Sequence, residues 1–427
     1  MERPVPSPVA RRSLARRLLL APGAAALLAA AGMVPALAGP AGPSAALAQA
    51  AAPYASAPGL EPYDEAVRRA QQAAEELREE QGIPGVSVAV GVGGEVVYAE
   101  GFGWSGVEKR SPVWPSTKFR IGSVSKPLTS VAVGRLVEEG RLDLDRPVHE
   151  IVPYWDEHRW PVTTRHLAGH VAGVRHYRDD EFLSRRSYPT VAEGIEIFAD
   201  DTLLFEPGTD YSYSSYGWNL VSAVVEESAG EPFLQHMRRR VIEPMGLDET
   251  VADHPDSIVM GRTEFYVRSD GDGDDGEAQE SGDDRGRLLN APYVDNSYKW
   301  AGGGYLATPS DLVRFGFAML RSLDPRRDGV LEPGTVETMW TSQAIRSGEE
   351  SGETGYGIGW SVGQDSVGRR IVGHGGGSVG GTTFFRIYPE QGVVVAITAN
   401  LSGAGLDEAG EEIGRAFLQA RAESPGM

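Results

Sequence analysis

Apolar residues follow a strand-like pattern near both ends of the chain and a helix-like pattern between them. Val86–Val92 and Glu95–Trp104 are rich in β-branched and aromatic residues, and Gly93-Gly94 between them is a two-residue hairpin signal. The late β-rich runs are Arg369–Gly373, Gly381–Tyr388 and Gly392–Asn400. We therefore expect one sheet built from both ends of the chain.

Helices are predicted where apolar residues recur three and four positions apart. This spacing predicts a helix over Glu61–Gln81 and a final helix from about Leu406 to Ala420, and Thr308-Pro-Ser-Asp311 is a helix start with proline in first position. Between about 140 and 300 the predicted helices are Thr163–Gly169, Val191–Phe198, Tyr216–Glu227 and Pro232–Val241. The pattern predicts an α/β (α+β) fold, with a sheet flanked by helices and a helical insert lobe.

The first 48 residues have the features of a targeting segment. Four arginines between positions 11 and 17 precede the apolar stretch Leu18–Ala31, and Ala36-Leu-Ala38 and Ala46-Leu-Ala48 are candidate cleavage sites. We expect cleavage of a signal peptide and export to the periplasm or the extracellular space. An uncleaved N-terminal membrane anchor is the alternative. No later segment is long and apolar enough to span a bilayer, so we expect no stable membrane embedding.

The remainder is predicted to form one domain over residues 59–427, after an Ala/Pro-rich linker over 49–58. Its sheet lobe is expected over about 59–139 and 300–427, and its helical lobe over about 140–299. Ser269–Arg287 is acidic and of low complexity, which predicts a solvated loop. It does not match a calcium-binding loop, because Asp275 stands where glycine is needed and Ser281 where a bidentate glutamate is needed.

Composition excludes several classes of function. The 427 residues include no cysteine, which excludes disulfides, thiol catalysis and thiolate metal sites. The formal charge of −20 argues against a nucleic-acid partner, because a phosphate backbone requires a Lys/Arg-rich surface.

The most informative local pattern is S-x-x-K at Ser123 and Lys126. Residues three apart share a helix face, so the amine can lie against the hydroxyl. Apolar residues at Val124, Leu128 and Val131 support a helix here, and its end is predicted at Gly140. A serine attacks a carbonyl only when another group accepts its proton, and lysine does this only when its pKa is lowered.

Two later segments complete an ordered set with this motif. Tyr213-Ser-Ser-Tyr-Gly-Trp-Asn precedes an apolar helical run, and Ile371-Val-Gly-His374-Gly-Gly-Gly377 is a β-rich run that ends in glycines. The set resembles the S-x-x-K, Y-x-N and [KH]-x-G motifs of the serine β-lactamase and penicillin-binding superfamily. The resemblance covers roughly residues 60–420 and points to the class C-type S12 serine hydrolases. Within that group, the stretches Thr163–His170, Ile242–Leu247 and Asn290–Gly304 resemble the LACTB-type serine proteases in particular. It implies a β-lactamase/transpeptidase-like fold with an antiparallel sheet.

The resemblance also implies roles for individual residues. Ser123 would be the nucleophile that forms an acyl-enzyme, and Lys126 or Tyr213 would be the base; the sequence leaves this choice open. Backbone N–H groups of Ser123 and Gly377 would form the oxyanion hole. His374, Gly376 and Ser215 complete the predicted oxyanion and substrate-binding set.

Two departures from the family pattern change the expected substrate. Ser215 stands where Y-x-N has asparagine, and His374 stands where β-lactamases usually have lysine. We therefore expect hydrolysis of peptide or ester bonds in a small-molecule or peptide substrate. The alternatives are a true class C-like β-lactamase, a D-alanyl-D-alanine carboxypeptidase, and a non-catalytic scaffold or sensor. The sequence leaves the natural substrate and the oligomeric state open.

Two rival motifs fail. Gly376-Gly-Ser378-Val-Gly380 matches the G-x-S-x-G elbow of α/β-hydrolases, but a β-rich run follows it and no histidine lies beyond His374. His166 and His170 have metal-ligand spacing, but Leu167 stands where a zinc protease has glutamate. We expect neither a metal nor a cofactor.

Overall fold

The structure, a computed structural model, describes residues 62–269, 285–343 and 355–423. The predicted targeting segment and linker lie outside the described residues, as does most of the predicted acidic loop. No helix within the described ranges has the length and apolar character needed to cross a bilayer.

The main sheet has eight strands, and both ends of the described chain contribute to it. Its order is β3-β2-β1-β13-β12-β11-β10-β9, with every neighbouring pair antiparallel. The strands are β1 Gly85–Val92, β2 Glu95–Gly106, β3 Ser111–Pro112, β9 Gly355–Tyr356, β10 Ser361–Gln364, β11 Arg370–Ser378, β12 Gly381–Tyr388 and β13 Val393–Ala399. The sheet predicted from both ends of the sequence is thus confirmed.

Strand β11 extends beyond the predicted run of Arg369–Gly373. This extension needs glycine, because a Cβ at Gly376 would lie 2.0 Å from the Ile121 carbonyl oxygen. Because Gly376 has no side chain, β11 can pack directly against the segment that leads to Ser123.

Five short strands form two smaller sheets. They are β4 Phe119–Arg120, β5 Val251–Ala252, β6 Tyr266–Arg268, β7 Leu288–Asn290 and β8 Tyr305–Ala307. β8 lies between β4 and β5, and β6 pairs with β7. β4 ends three residues before Ser123, so this small sheet fixes the chain as it enters the S-x-x-K motif.

Each predicted helix has a counterpart among the described α-helices, with ends that differ by a few residues, whereas Trp300–Gly303 and Pro333–Met339 were not predicted. The described α-helices are α1 Asp64–Glu80, α2 Ser125–Glu138, α3 Thr164–Ala168, α4 Val191–Ile195, α5 Ser215–Ala229, α6 Phe233–Met237, α7 Trp300–Gly303, α8 Pro309–Ser322, α9 Pro333–Met339 and α10 Asp407–Glu423. Thr308 caps α8 by accepting the Asp311 N–H, with Pro309 in first position as predicted.

Helices cover both faces of the main sheet. β1 is buried along its whole length, with Ala89 in one apolar cluster and Val88 and Val90 in the other. The Ala89 cluster includes residues of α2, α5 and α8, and the opposite cluster includes residues of α1 and α10. Successive residues of a strand point to opposite faces, so this division follows from the pleat.

Candidate active site

Ser123 lies on a sharp turn between β4 and α2. Gly122–Val124 form a 3₁₀ turn, and α2 begins at Ser125. Gly122 has φ +50°, and a Cβ there would lie 2.5 Å from the Gly377 carbonyl oxygen. Glycine is therefore required at position 122 by its backbone conformation and by its contact with β11.

Lys126 lies in the first turn of α2, beneath Ser123. Its Nζ is 2.8 Å from Ser123 Oγ, 2.8 Å from the Gly302 carbonyl oxygen and 3.3 Å from Ser215 Oγ. The side chain is fully buried. Burial, reinforced by the positive charge of Lys299, lowers the pKa of Lys126 well below its ordinary value. The amine is therefore able to be neutral at pH values where an exposed lysine is charged.

Tyr213 approaches Ser123 from the segment before α5. Its hydroxyl donates to Ser123 Oγ over 2.8 Å, and burial raises its pKa, so it is a protonated donor. Two histidines hold this segment: His170 Nδ1 accepts the Ser214 N–H at 3.0 Å, and His176 Nδ1 accepts the Ser215 N–H at 3.1 Å. His170 is thus a packing and hydrogen-bonding histidine.

Strand β11 carries the remaining residues of the predicted set, and the His374 ring centroid lies 6.3 Å from that of Tyr213. Gly377 borders the cavity described below, whereas Gly376 packs against Ile121. His374 is buried, and its Nδ1–H donates to its neighbour's carbonyl, that of Gly375, at 2.5 Å. Its Nε2 then accepts the Tyr356 hydroxyl at 2.8 Å. Burial and the charge of Lys126 lower the pKa of His374 to about 3, so the ring is neutral near pH 7.

A cavity of about 390 Å³ opens over Ser123. Of the predicted site residues, its lining includes Ser123, Tyr213, Ser215 and Gly377, with Lys126 directly beneath. The other described lining residues are His176, Tyr177, Phe182, Lys299, Gly302, Gly303, Ser378, Ser402 and Gly403.

The sequence interpretation missed several of these residues, notably His176, Tyr177 and Lys299. His176 and Tyr177 belong to no short motif, whereas Lys299 lies in the stretch Asn290–Gly304, which resembles the LACTB-type proteins but carries no role for the lysine. Tyr177 and Lys299 come from chain segments more than 100 residues apart, and only the folding of the chain brings them to one cavity.

The rival motifs are rejected by their surroundings. Ser378 ends β11 and is followed by β12, so no helix follows it as an elbow nucleophile would require. His166 caps α3 together with Thr163. Within the described residues, no group of three His, Asp or Glu side chains is placed to hold a metal ion.

Comparisons with known proteins show which family the chain belongs to. The family model described as Beta-lactamase matches residues 70–419. The chain is 29% identical over 477 residues to the serine beta-lactamase-like protein LACTB, mitochondrial, of Homo sapiens, covering 88% of this chain and 84% of that protein. It is 29% identical over 356 residues to penicillin-binding protein 4 of Amycolatopsis lactamdurans, covering 79% of this chain and 86% of that protein.

A solved structure shows the same architecture. The octameric penicillin-binding protein homologue from Pyrococcus abyssi superposes with a TM-score of 0.67 and 27% identity, covering 84% of this chain and 77% of that chain. The similarity therefore extends over both the sheet and the helical residues between its two halves.

Proposed function

Because the chain belongs to the Beta-lactamase family, a family of serine hydrolases, we propose that it hydrolyses peptide or ester bonds through an acyl-enzyme on Ser123. The observation that carries the proposal is the convergence of Lys126 Nζ and Tyr213 OH on Ser123 Oγ, each at 2.8 Å. One group is available to take the serine proton and the other to donate one, as acyl transfer requires.

Lys126 is the base in this proposal. A neutral amine has two N–H donors and one lone pair, and the Gly302 carbonyl and Ser215 Oγ account for the two donors. The lone pair is then left for the Ser123 hydroxyl. Ser123 Oγ bonds to the substrate carbonyl carbon while its proton moves to Lys126.

The remaining steps return every group to its starting state. Backbone N–H groups of Ser123 and Gly377 would stabilise the oxyanion. The bond to the leaving group then breaks, and Tyr213 would donate a proton to the leaving group. The proton held by Lys126 would then pass to Tyr213. Water next attacks the acyl-enzyme, gives its proton to the same pair, and releases the carboxylic acid and the free Ser123 hydroxyl.

The site favours peptide or ester substrates over β-lactams. His374 is neutral, so β11 does not present the cation that the family's lysine would. Ser215 is bonded to Lys126 and offers no side-chain amide to a substrate. These two features set the proposed substrate class apart from that of a β-lactamase.

A fluorophosphonate probe tests the proposal, because it labels only an activated serine. We expect one adduct, mapped by mass spectrometry to Ser123, and none in Ser123→Ala. Ser378→Ala is the matched control, since Ser378 borders the same cavity and should not affect labelling. Absence of any adduct would favour a non-catalytic scaffold, and an adduct on Ser378 would favour the elbow mechanism.

We also propose that the protein is exported with cleavage of its first 38 or 48 residues. The arginine-rich start, the apolar run and the two small-residue sites support this. N-terminal sequencing of protein from cell fractions should give a start near Gly39 or Gln49 outside the cytoplasm. An intact Met1 in the soluble cytoplasm would refute export, and an intact Met1 in the membrane fraction would indicate an anchor.

A further inference from the structure

Lys299 is a buried cation that the proposed mechanism does not use. It borders the cavity over Ser123, yet its residue is only 2% exposed. Its Nζ lies 4.1 Å from the ring centroid of Phe182, 5.4 Å from that of Tyr298 and 5.8 Å from that of Tyr177. The aromatic faces hold the ammonium in place. Within the described ranges of the chain, no acceptor is hydrogen-bonded to it.

The carboxylate whose charge acts on Lys299 is that of Asp253, and it is hydrogen-bonded to other residues. Asp253 accepts from Arg120 Nε at 2.7 Å, from Asn296 at 2.8 Å and from Arg262 at 3.4 Å. No aspartate or glutamate is among the described residues that line the cavity. Asp253 therefore offsets the lowering of the Lys299 pKa only in part, and no carboxylate among the described lining residues lies beside the ammonium in the cavity.

The two histidines around the cavity are neutral near pH 7, because burial lowers the pKa of His176 to about 4 and of His374 to about 3. Burial also lowers the pKa of Lys126 well below its ordinary value, and its Nζ is already hydrogen-bonded to Ser123 Oγ, the Gly302 carbonyl and Ser215 Oγ. The pKa of Lys299 is lowered from 10.5 to about 7 by burial and by Arg120, so this amine is still partly charged near pH 7, and a bound anion would raise its pKa again. Lys299 is thus the cation that this cavity presents to a ligand.

The low lysine content of the chain supports a specific role for the Lys299 ammonium in this cavity. The chain has 36 arginines and only four lysines, and two of the four, Lys126 and Lys299, lie against this cavity. An arginine would be larger and permanently charged, whereas a lysine offers a compact charge on a flexible stem.

We propose that Lys299 binds a carboxylate of the substrate, so that the hydrolase acts on peptides or esters that carry a free carboxylate close to the scissile bond. The proposal rests on the proposed function for the identity of the cavity. In this proposal Lys299 supplies the positive charge that β11 does not present. Lys299 lies at the end of the turn Asn296–Lys299, which precedes α7. A carboxylate would complete the hydrogen bonds that the ammonium does not make within the described protein.

Two pairs of esters test this, each comparing a carboxylate with the carboxamide of the same shape. One pair places the group on the leaving side, as the benzoylglycyl esters of phenyllactate and phenyllactamide. The other places it on the acyl side, as the p-nitrophenyl esters of adipate and adipamate. The measurement is the ratio of kcat/KM for acid over amide within each pair.

In the wild-type protein we expect a ratio of about ten or more in at least one pair, as for a charge-assisted hydrogen bond. Lys299→Met should reduce that ratio to about one. Lys118→Met is the matched control: it also removes a largely buried lysine, but one paired with Glu249 and absent from the cavity lining. A ratio near one in both wild-type pairs, or a preference that survives Lys299→Met, would overturn the proposal.

Calorimetry separates this proposal from the proposed function. The Ser123→Ala protein cannot form an acyl-enzyme but keeps the cavity. It should bind the preferred acid at least about tenfold more tightly than the amide, and Lys299→Met in that background should abolish the difference. If neither labelling nor hydrolysis occurs, the proposed function fails. The difference in binding between acid and amide then still decides whether Lys299 binds a carboxylate. Equal binding of acid and amide would refute it.

Discussion

Lys126 Nζ lies 2.8 Å from Ser123 Oγ and 2.8 Å from the carbonyl oxygen of Gly302, which also lines the cavity. The local spacing of the motif accounts for the first contact. The second requires α2 and α7 to pack together, and it fixes the direction in which the amine presents its lone pair.

Replacing Lys126 by Met should lower kcat/KM at least about a hundredfold, because the proposed acceptor of the Ser123 proton is lost. The fold should persist, since removing a buried amine without a carboxylate partner is favourable. Ester hydrolysis and the rate of fluorophosphonate labelling measure the effect, with Lys118→Met as the control. Near-normal turnover would show that Tyr213 is the base.

The pH profile of kcat/KM should also identify the base. Since burial lowers the pKa of Lys126, its neutral form accumulates as pH rises, and activity should level off well below 10.5. Tyr213 has a raised pKa and stays protonated throughout, and the lowered pKa values of His176 and His374 keep both rings neutral over this range. Removing the charge at Lys299 should raise the pKa of Lys126 and move the profile to higher pH. A profile that climbs past pH 10 would favour a tyrosinate base.

Alanine substitutions at Gly376 and Gly377 form a matched pair that tests how tightly β11 packs against the Ile121 segment. A Cβ at position 376 would lie 2.0 Å from the Ile121 carbonyl oxygen, whereas a Cβ at 377 would meet no atom within 4 Å. Gly376→Ala should therefore reduce the free energy of unfolding by at least about 1 kcal/mol and slow labelling of Ser123. Gly377→Ala should unfold at nearly the wild-type denaturant concentration. Equal stability of the two variants would contradict the packing argument.

β-Lactams should acylate Ser123 slowly and be released slowly. Acylation needs only the nucleophile, its base and the oxyanion donors, whereas rapid turnover also needs a held lactam substituent and a placed water. Adduct mass and colour release from a chromogenic cephalosporin should show a persistent adduct with little turnover. A kcat/KM within about 10⁴–10⁸ M⁻¹s⁻¹ would instead identify a true β-lactamase.

Lys299→Met should stabilise the protein, because the wild-type chain buries a charge without a hydrogen-bonding partner among the described residues. The pKa of Lys299 is about 7 when folded against 10.5 ordinarily, so the unfolded state binds more protons between these values. Wild-type stability should rise with pH over this window, and the cost below pH 7 is on the order of 5 kcal/mol. Thermal unfolding of both proteins between pH 6.5 and 9 measures this. A lower Tm for the variant at pH 6.5 would point to a purely structural role.

Local features were predictable because neighbours in the chain determine them. The Gly93-Gly94 hairpin, the Thr308 cap of α8 and the Ser123–Lys126 pairing each depend on a few consecutive residues. The end of β11 was misplaced at Gly373, since glycines usually interrupt a strand. Here they allow close contact with Ile121, a residue about 250 positions earlier.

The sequence by itself determined that both ends of the chain supply the main sheet, that Ser123 and Lys126 pair through S-x-x-K, and the resemblance that connects Tyr213 and Gly377 with them. Only the tertiary structure decided the charge of the cavity. Burial makes His374 neutral and leaves Lys299, to which the sequence assigned no role, as the proposed cation of the cavity. The physical reason is that a pKa depends on desolvation and neighbouring charges, which arise from packing between segments far apart in the chain.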